Sequence, residues 1–128
     1  MSTKTIQRLR RQAFVKQDCL CFYCQLPMWE DYQEKFSSSH GLPARLAKHL
    51  KCTAEHLVAQ QDEGRDSVEN IVAACLWCNK LRHFGRANKA PDSIKYKSRV
   101  TKLISKGKWH PVISSKSAAM SASIGSAS

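Results

Sequence analysis

The sequence predicts an α+β domain in which two strands and the helix after them lie between flanking helical segments. Three observations support this class. Two apolar segments, 52–59 and 70–75, have strand composition and are separated by a loop that contains Asp62, Gly64 and Asp66, as in a hairpin. The segments on either side carry apolar residues at helical spacing. One C-x-x-C pair precedes the first strand, and a second opens the helix that follows the second strand.

Three helical segments are predicted before the hairpin, because apolar residues recur three or four positions apart. The first covers residues 3–17, the second 27–38, and the third, of one or two turns, 43–50. The second segment has an aromatic stripe that we expect to pack in the core: Trp29, Tyr32 and Phe36.

Two helices are predicted after the hairpin. One runs from about Leu76 towards Phe84 and ends near Gly85, since glycine commonly follows a helix. The other begins at Pro91-Asp92-Ser93, a typical helix start. We expect a single domain over 1–111, with a core at about 19–86 and a basic helical extension at about 87–111. The Ser- and Ala-rich segment 112–128 is predicted to be disordered.

The charge of the chain indicates a polyanionic partner. It has 21 Lys and Arg against 10 Asp and Glu, a net charge of +11, and a pI of about 9.7, which is typical of nucleic-acid-binding domains. The alternative is a basic surface that serves only solubility. No apolar run is long enough to cross a membrane, and the basic N-terminal segment does not resemble a signal peptide. We therefore expect a cytoplasmic protein without a membrane partner, which is compatible with a phage or bacterial setting.

The cysteines predict a structural metal site. Cys21-Phe22-Tyr23-Cys24 and Cys75-Leu76-Trp77-Cys78 are two C-x-x-C pairs, and zinc prefers four thiolates at tetrahedral corners. A redox-active C-x-x-C pair is the alternative. Cys19 competes with Cys21, but only Cys21 has the two-residue spacing to Cys24. Cys52 is left over and is expected to be a small buried apolar residue.

Three motifs together resemble the HNH endonuclease family, whose members are also called ββα-metal nucleases. The resemblance is to the branch of this family in which four cysteines bind a stabilising zinc. The motifs are Thr53-Ala54-Glu55-His56-Leu57-Val58 on the first strand, Glu69-Asn70-Ile71-Val72-Ala73-Ala74-Cys75 on the second, and Cys75-Leu76-Trp77-Cys78-Asn79-Lys80-Leu81-Arg82-His83 on the helix. The resemblance covers about residues 19–86. It implies a metal-dependent endonuclease that hydrolyses phosphodiester bonds in DNA.

The resemblance also implies roles for five residues. His56 would be the general base, since imidazole accepts protons near neutral pH. Glu55 and Asn79 would give oxygen ligands to a catalytic divalent metal, Mg²⁺ or Mn²⁺. Asn70 would tie the loop and orient the histidine. His83 could be a third ligand, which would favour Ni²⁺ or another transition metal, or it could contact phosphate or only pack.

Two features depart from a simple match to the family. The family acid is most often Asp or His, whereas Glu55 stands here. A straight strand also sends Glu55 and His56 to opposite faces, so both reach one site only if the strand ends or bulges there.

Basic residues outside the motifs are expected to contact DNA phosphates, which position a duplex without reading its sequence. They are Arg82, Arg86, Lys89, Lys95, Arg8 and Arg11.

Two other functions stay open at this point: a non-catalytic zinc-dependent DNA-binding module, and a toxin or effector nuclease. The sequence does not choose between DNA and RNA, and it does not indicate a homodimer.

Overall fold

A computed structural model describes residues 3–58, 65–84 and 90–115 of the chain. The elements that precede the hairpin are α1 (Thr3–Lys16), α2 (Gln33–His40), α3 (Ala44–Ala47) and a 3₁₀ turn (Lys48–Leu50). The hairpin and the elements after it are β1 (Cys52–His56), β2 (Ile71–Cys75), α4 (Leu76–His83), α5 (Ser93–Ser105) and α6 (Pro111–Ser115). The predicted α+β class is confirmed. No helix within the described ranges combines the length and apolarity that a membrane span requires.

The hairpin strands pair antiparallel, with Cys52 opposite Cys75 and His56 opposite Ile71. Strand β1 ends at His56, earlier than predicted, and the chain turns away there. Asn70 lies one position before β2 rather than inside it, and its carbonyl accepts a hydrogen bond from Leu57 N at 2.9 Å. Helix α4 follows β2 directly, so the strand, strand and helix form one continuous ββα unit.

Helix α1 packs against the hairpin and covers the free edge of β2. The Gln17 side chain, just after α1, pairs with Ala73 as a neighbouring strand would: Nε2 donates to Ala73 O at 2.9 Å, and Ala73 N donates to Oε1 at 3.0 Å. Phe22 N also donates to Ala73 O at 3.0 Å. The backbone N–H and C=O of Ala73, at the edge of β2 that faces away from β1, are thereby satisfied within the chain.

The predicted helix at 27–38 is wrong in its first half. Trp29 lies in extended chain that bridges to Lys51; Trp29 N donates to Leu50 O, and Cys52 N donates to Trp29 O. These long-range backbone hydrogen bonds replace the helical ones, and α2 begins only at Gln33. The aromatic stripe is therefore broken: Trp29 and Phe36 pack against the core, whereas Tyr32 is exposed.

The predicted disordered tail begins too early. Pro111–Ser115 forms α6, and Val112 is buried. Proline suits the first position of a helix, and His110 Nδ1 accepts a hydrogen bond from Val112 N at 3.2 Å in the manner of a cap. The rest of the predicted tail, 116–128, lies outside the described residues.

Helix α5 begins where the sequence predicts. The Asp92 carboxylate caps it, with Oδ2 accepting hydrogen bonds from Ile94 N and Lys95 N, each at 3.1 Å. Tyr96 and Val100 form its buried face. The Tyr96 hydroxyl donates to Cys78 O at 2.7 Å, which fixes α5 to the start of α4.

Loss of the α5 cap should weaken the fold measurably. Asp92→Ala leaves two N–H groups without their acceptor, so we expect the free energy of unfolding to fall by about 1 kcal/mol. Asp92→Asn is the matched control, because asparagine caps helices as well as aspartate does. Urea unfolding followed by circular dichroism measures both variants, and equal losses in the two would contradict the capping role.

Candidate functional site

Four thiols from two distant segments meet in the core: Cys21, Cys24, Cys75 and Cys78. All four are buried, and their Sγ atoms lie within 4.8 Å of one another. Cys24 Sγ and Cys75 Sγ are 3.9 Å apart. A zinc ion with four Zn–S bonds of about 2.3 Å would hold its sulfurs about 3.8 Å apart. The cluster therefore has the donor set and the spacing of a structural zinc site.

N–H groups surround the sulfurs and stabilise negative charge on them. Cys21 Sγ accepts from Tyr23 N at 3.4 Å and from Cys75 N at 3.3 Å. Cys78 Sγ accepts from Trp109 Nε1 at 3.3 Å. Burial raises the pKa of Cys21, but hydrogen bonds from the other three thiols outweigh it, and the net pKa lies well below the usual range. Burial raises the pKa of Cys75, and hydrogen bonds with Cys21 and Cys24 raise the pKa of Cys78, so Cys21 ionises before these two thiols. Thiolate is the form that binds zinc.

The two remaining cysteines stand outside the cluster. Cys19 is exposed, whereas Cys52 is buried, and burial raises the pKa of Cys52 to about 12. Cys52 is thus a neutral, apolar core residue, as predicted. The expectation that Cys21 rather than Cys19 joins the four-cysteine group is also confirmed.

Glu55 connects the cysteine cluster to helix α4. Its side chain is 2% exposed, and its Oε2 accepts hydrogen bonds from the Tyr23 hydroxyl and from Arg82 Nη1, each at 3.0 Å. Its other oxygen, Oε1, lies 3.0 Å from His83 Nε2. Burial and the Glu55 carboxylate raise the pKa of Tyr23 above its usual range, so the tyrosine remains a hydrogen-bond donor.

Arg82 is buried, and its guanidinium links Glu55 to several backbone segments instead of lying on the surface. Its side chain is 4% exposed, and besides Glu55 it donates to three backbone carbonyls: His56 O and Leu57 O at 2.9 Å and Pro91 O at 3.0 Å. The predicted contact between Arg82 and DNA phosphate fits this position poorly, because the guanidinium is buried and already donates four hydrogen bonds to acceptors inside the protein. Sequence reasoning missed this role, since an arginine in a basic helix gives no local signal of burial.

His56 stands at the end of β1 beside an acid from the other side of the loop. Its Nε2 lies 2.5 Å from Asp66 Oδ1; the histidine side chain is 21% exposed and that of the aspartate 1%. Sequence reasoning assigned Asp66 only to a loop. An acid ten positions after a histidine gives no sequence signal of contact.

The two predicted asparagines tie backbone segments together. Asn70 Oδ1 accepts from Val58 N at 2.8 Å, and Nδ2 donates to Val58 O at 3.0 Å and Arg65 O at 2.9 Å. The Asn70 side chain thus holds the two ends of the loop together. Asn79 Nδ2 donates to Thr53 Oγ1 at 2.9 Å and to Ala54 O at 3.1 Å, which ties α4 to β1.

The structure brings three of the predicted site residues close together. Glu55 Oε1 lies 3.0 Å from His83 Nε2, and the Arg82 guanidinium donates both to the Glu55 carboxylate and to the His56 carbonyl.

Of the residues predicted to contact DNA, three are exposed, namely Arg8, Arg11 and Lys95. Arg86 and Lys89 lie outside the described residues.

A comparison with protein-family models gives a match that covers the ββα unit formed by β1, β2 and α4. Residues 44–85 match the model described as HNH endonuclease. These residues, about a third of the chain, are therefore similar to HNH endonucleases and are called the HNH segment below. This segment contains β1, β2 and α4 and the residues singled out on them, so the predicted resemblance is confirmed. The HNH segment includes the second C-x-x-C pair but not Cys21 and Cys24, which join it from outside. Neither curated proteins nor solved structures gave a significant match to the chain.

The cysteine cluster predicts a zinc content that depends on four named thiols. We expect native mass spectrometry to find one zinc per chain in the wild type and none in Cys24→Ser, whose thermal unfolding should also shift to lower temperature. Cys19→Ser is the matched control, and we expect it to keep its zinc. Loss of zinc from Cys19→Ser with retention in Cys24→Ser would contradict the assignment.

The buried pair of Arg82 and Glu55 predicts a large stability effect. Arg82→Ala leaves a carboxylate buried without its cation, so the free energy of unfolding should fall by about 3–5 kcal/mol. Arg8→Ala removes an exposed cation from α1 and serves as the control, with little expected effect. Urea unfolding measures both. A loss below about 1 kcal/mol for Arg82→Ala would contradict a buried ion pair.

Proposed function

We propose that this protein is a metal-dependent endonuclease that hydrolyses phosphodiester bonds in DNA. The observation that carries the proposal is the arrangement at the end of β1 in the HNH segment. There the partly exposed His56 follows Glu55, whose Oε1 lies 3.0 Å from His83 Nε2. A proton acceptor next to a carboxylate–imidazole pair is what metal-assisted hydrolysis of a phosphodiester requires.

His56 is the proposed general base. It takes a proton from the attacking water while the water oxygen forms a bond to phosphorus. The end of β1 at His56 allows neighbouring residues to serve one site, which a continuing strand would prevent. Arg82 holds the His56 carbonyl at 2.9 Å and so fixes the backbone at this position.

Glu55, Asn79 and His83 are the proposed ligands of the catalytic metal. Arg82 and Tyr23 occupy Glu55 Oε2, so Oε1 is the oxygen that faces the half-exposed His83. Asn79 uses Nδ2 within the protein and would offer its Oδ1. A divalent cation bound there supplies stabilisation of negative charge on the phosphate and the leaving 3′ oxygen. The two oxygens suit Mg²⁺ or Mn²⁺, and the imidazole also suits Ni²⁺.

The basic surfaces are the proposed contacts to the DNA backbone. Helix α5 carries exposed cations at intervals of four and three residues, which puts them on one face, and a further exposed cation follows directly at its C-terminal end: Lys95, Arg99, Lys102 and Lys106. Arg8 and Arg11 on α1, together with Arg86 and Lys89, complete the proposed set. Such contacts hold a duplex without reading its sequence.

One observation favours a second candidate, a zinc-dependent DNA-binding module without catalysis. Glu55 is buried, and both of its oxygens have partners within the protein. In this second candidate function, Glu55 and His83 only stabilise the fold, and the protein would bind DNA without cutting it.

Plasmid cleavage separates the two functions. With Mg²⁺, Mn²⁺ or Ni²⁺ we expect nicking or linearisation that EDTA abolishes, and His56→Ala should slow it by about 10²-fold or more because general-base catalysis is lost. His40→Ala is the matched control, since His40 is exposed on α2, where its Nδ1 lies 3.0 Å from Phe36 O and its ring stacks on the Phe36 ring. Full activity in His56→Ala would refute the role of the base. DNA binding without cleavage in every metal would favour the non-catalytic module.

A further inference from the structure

We propose that Asp66 is a positioning residue for His56, and that it makes Nδ1 the ring nitrogen that accepts the proton from water. This inference rests on the proposed nuclease function and names a residue that acts through the general base. Among the described residues, Glu55 and Asp66 are the two buried acids, and each lies against a histidine.

The geometry of the pair selects one form of the imidazole. Asp66 Oδ1 lies 2.5 Å from His56 Nε2, and an ionised carboxylate can only accept a hydrogen bond. Nε2 must therefore carry the hydrogen, and in the neutral ring this leaves the lone pair on Nδ1. The unequal burial of the pair, 1% for the acid and 21% for the histidine side chain, leaves the histidine as the member that water and substrate can reach.

The same contact stabilises the charge that forms during the reaction. When an O–H bond of the water breaks, its proton forms a bond to Nδ1 and the oxygen forms a bond to phosphorus. The bond between phosphorus and the 3′ oxygen breaks at the same time, and the 3′ oxygen leaves with that electron pair and takes a proton from solvent. The ring then carries a positive charge beside the Asp66 carboxylate. A fixed anion at hydrogen-bonding distance in a site of low solvent access favours that imidazolium.

Backbone hydrogen bonds on both sides of Asp66 hold it in place. The Asn70 side chain binds Arg65 O at 2.9 Å, and Ser67 O accepts from Asn70 N and Ile71 N, each at 3.0 Å. The carbonyls before and after Asp66 are thus both bound to residues at the start of β2. Through these contacts Asn70 orients His56 by way of Asp66.

The tautomer of His56 can be measured without any cleavage. Nitrogen NMR of the metal-free protein labelled with ¹⁵N-histidine, at a pH where His56 is neutral, should show hydrogen on Nε2 and none on Nδ1. Asp66→Asn should convert the ring to a mixture of tautomers, because the amide can present either an acceptor or a donor. A wild-type ring with its hydrogen on Nδ1 would overturn the proposal, whether or not the protein cuts DNA.

Steady-state cleavage of a duplex oligonucleotide gives the second arm of the test. We expect Asp66→Asn to lower kcat by about 10²-fold or more with KM unchanged. Glu69→Gln is the matched control, since it removes the same charge from an exposed position near the same loop end and should leave both constants unchanged. A wild-type kcat in Asp66→Asn, or an effect confined to KM, would overturn the proposal. Absence of cleavage in every protein, with the expected tautomer, would instead count against the nuclease function alone.

Discussion

The four-cysteine cluster is the constraint on which the rest of the structure depends. It joins two segments separated by 50 residues, 25–74, and so closes a loop that contains α2, α3 and β1. A chain of this size buries only a modest core, and metal–thiolate bonds at this cluster would add folding free energy that apolar burial alone does not supply. The four cysteines belong to the same buried cluster as Tyr23, Leu50 and Val100.

The cluster also determines where the functional side chains stand. Its first pair brackets Tyr23, whose hydroxyl reaches Glu55. Its second pair opens α4, which carries Arg82 and His83 against the same carboxylate. The two C-x-x-C pairs therefore position the three side chains that contact Glu55. Loss of the cluster would release the site together with the core.

Burying the Glu55 carboxylate is costly, and the structure compensates the charge with direct contacts. Removing a charge from water costs several kcal/mol unless good geometry and further hydrogen bonds offset it. Arg82 provides both the opposite charge and the further hydrogen bonds, because three more of its N–H groups donate to carbonyls at the end of β1 and before α5. The arginine thus neutralises Glu55 and also fixes the turn at which His56 stands. On the other side of the loop, Asp66 contacts the His56 ring, and Asn70 binds the carbonyl of Arg65, the residue before Asp66.

The features that sequence reasoning predicted correctly are local ones or follow from the chemistry of one ligand. Zinc preferences select Cys21 over Cys19, the strand composition gives the hairpin, and the Asp92 cap gives the start of α5. The helix expected at 27–38 failed because the backbone of Trp29 bonds to Leu50 and Cys52, far along the chain. The contacts of Tyr23, Arg82 and Asp66 span 32, 27 and 10 positions to their partners. Such tertiary pairs leave no periodic pattern, so the neighbours of Glu55 and His56 emerge only from the folded chain.

Zinc K-edge X-ray absorption on the purified protein tests the central claim most directly. If the cluster holds the two segments together as described, the spectrum should show four sulfur neighbours at about 2.3 Å and no nitrogen or oxygen ligand. A mixed shell of sulfur with nitrogen or oxygen, or a folded protein that contains no zinc, would contradict the account.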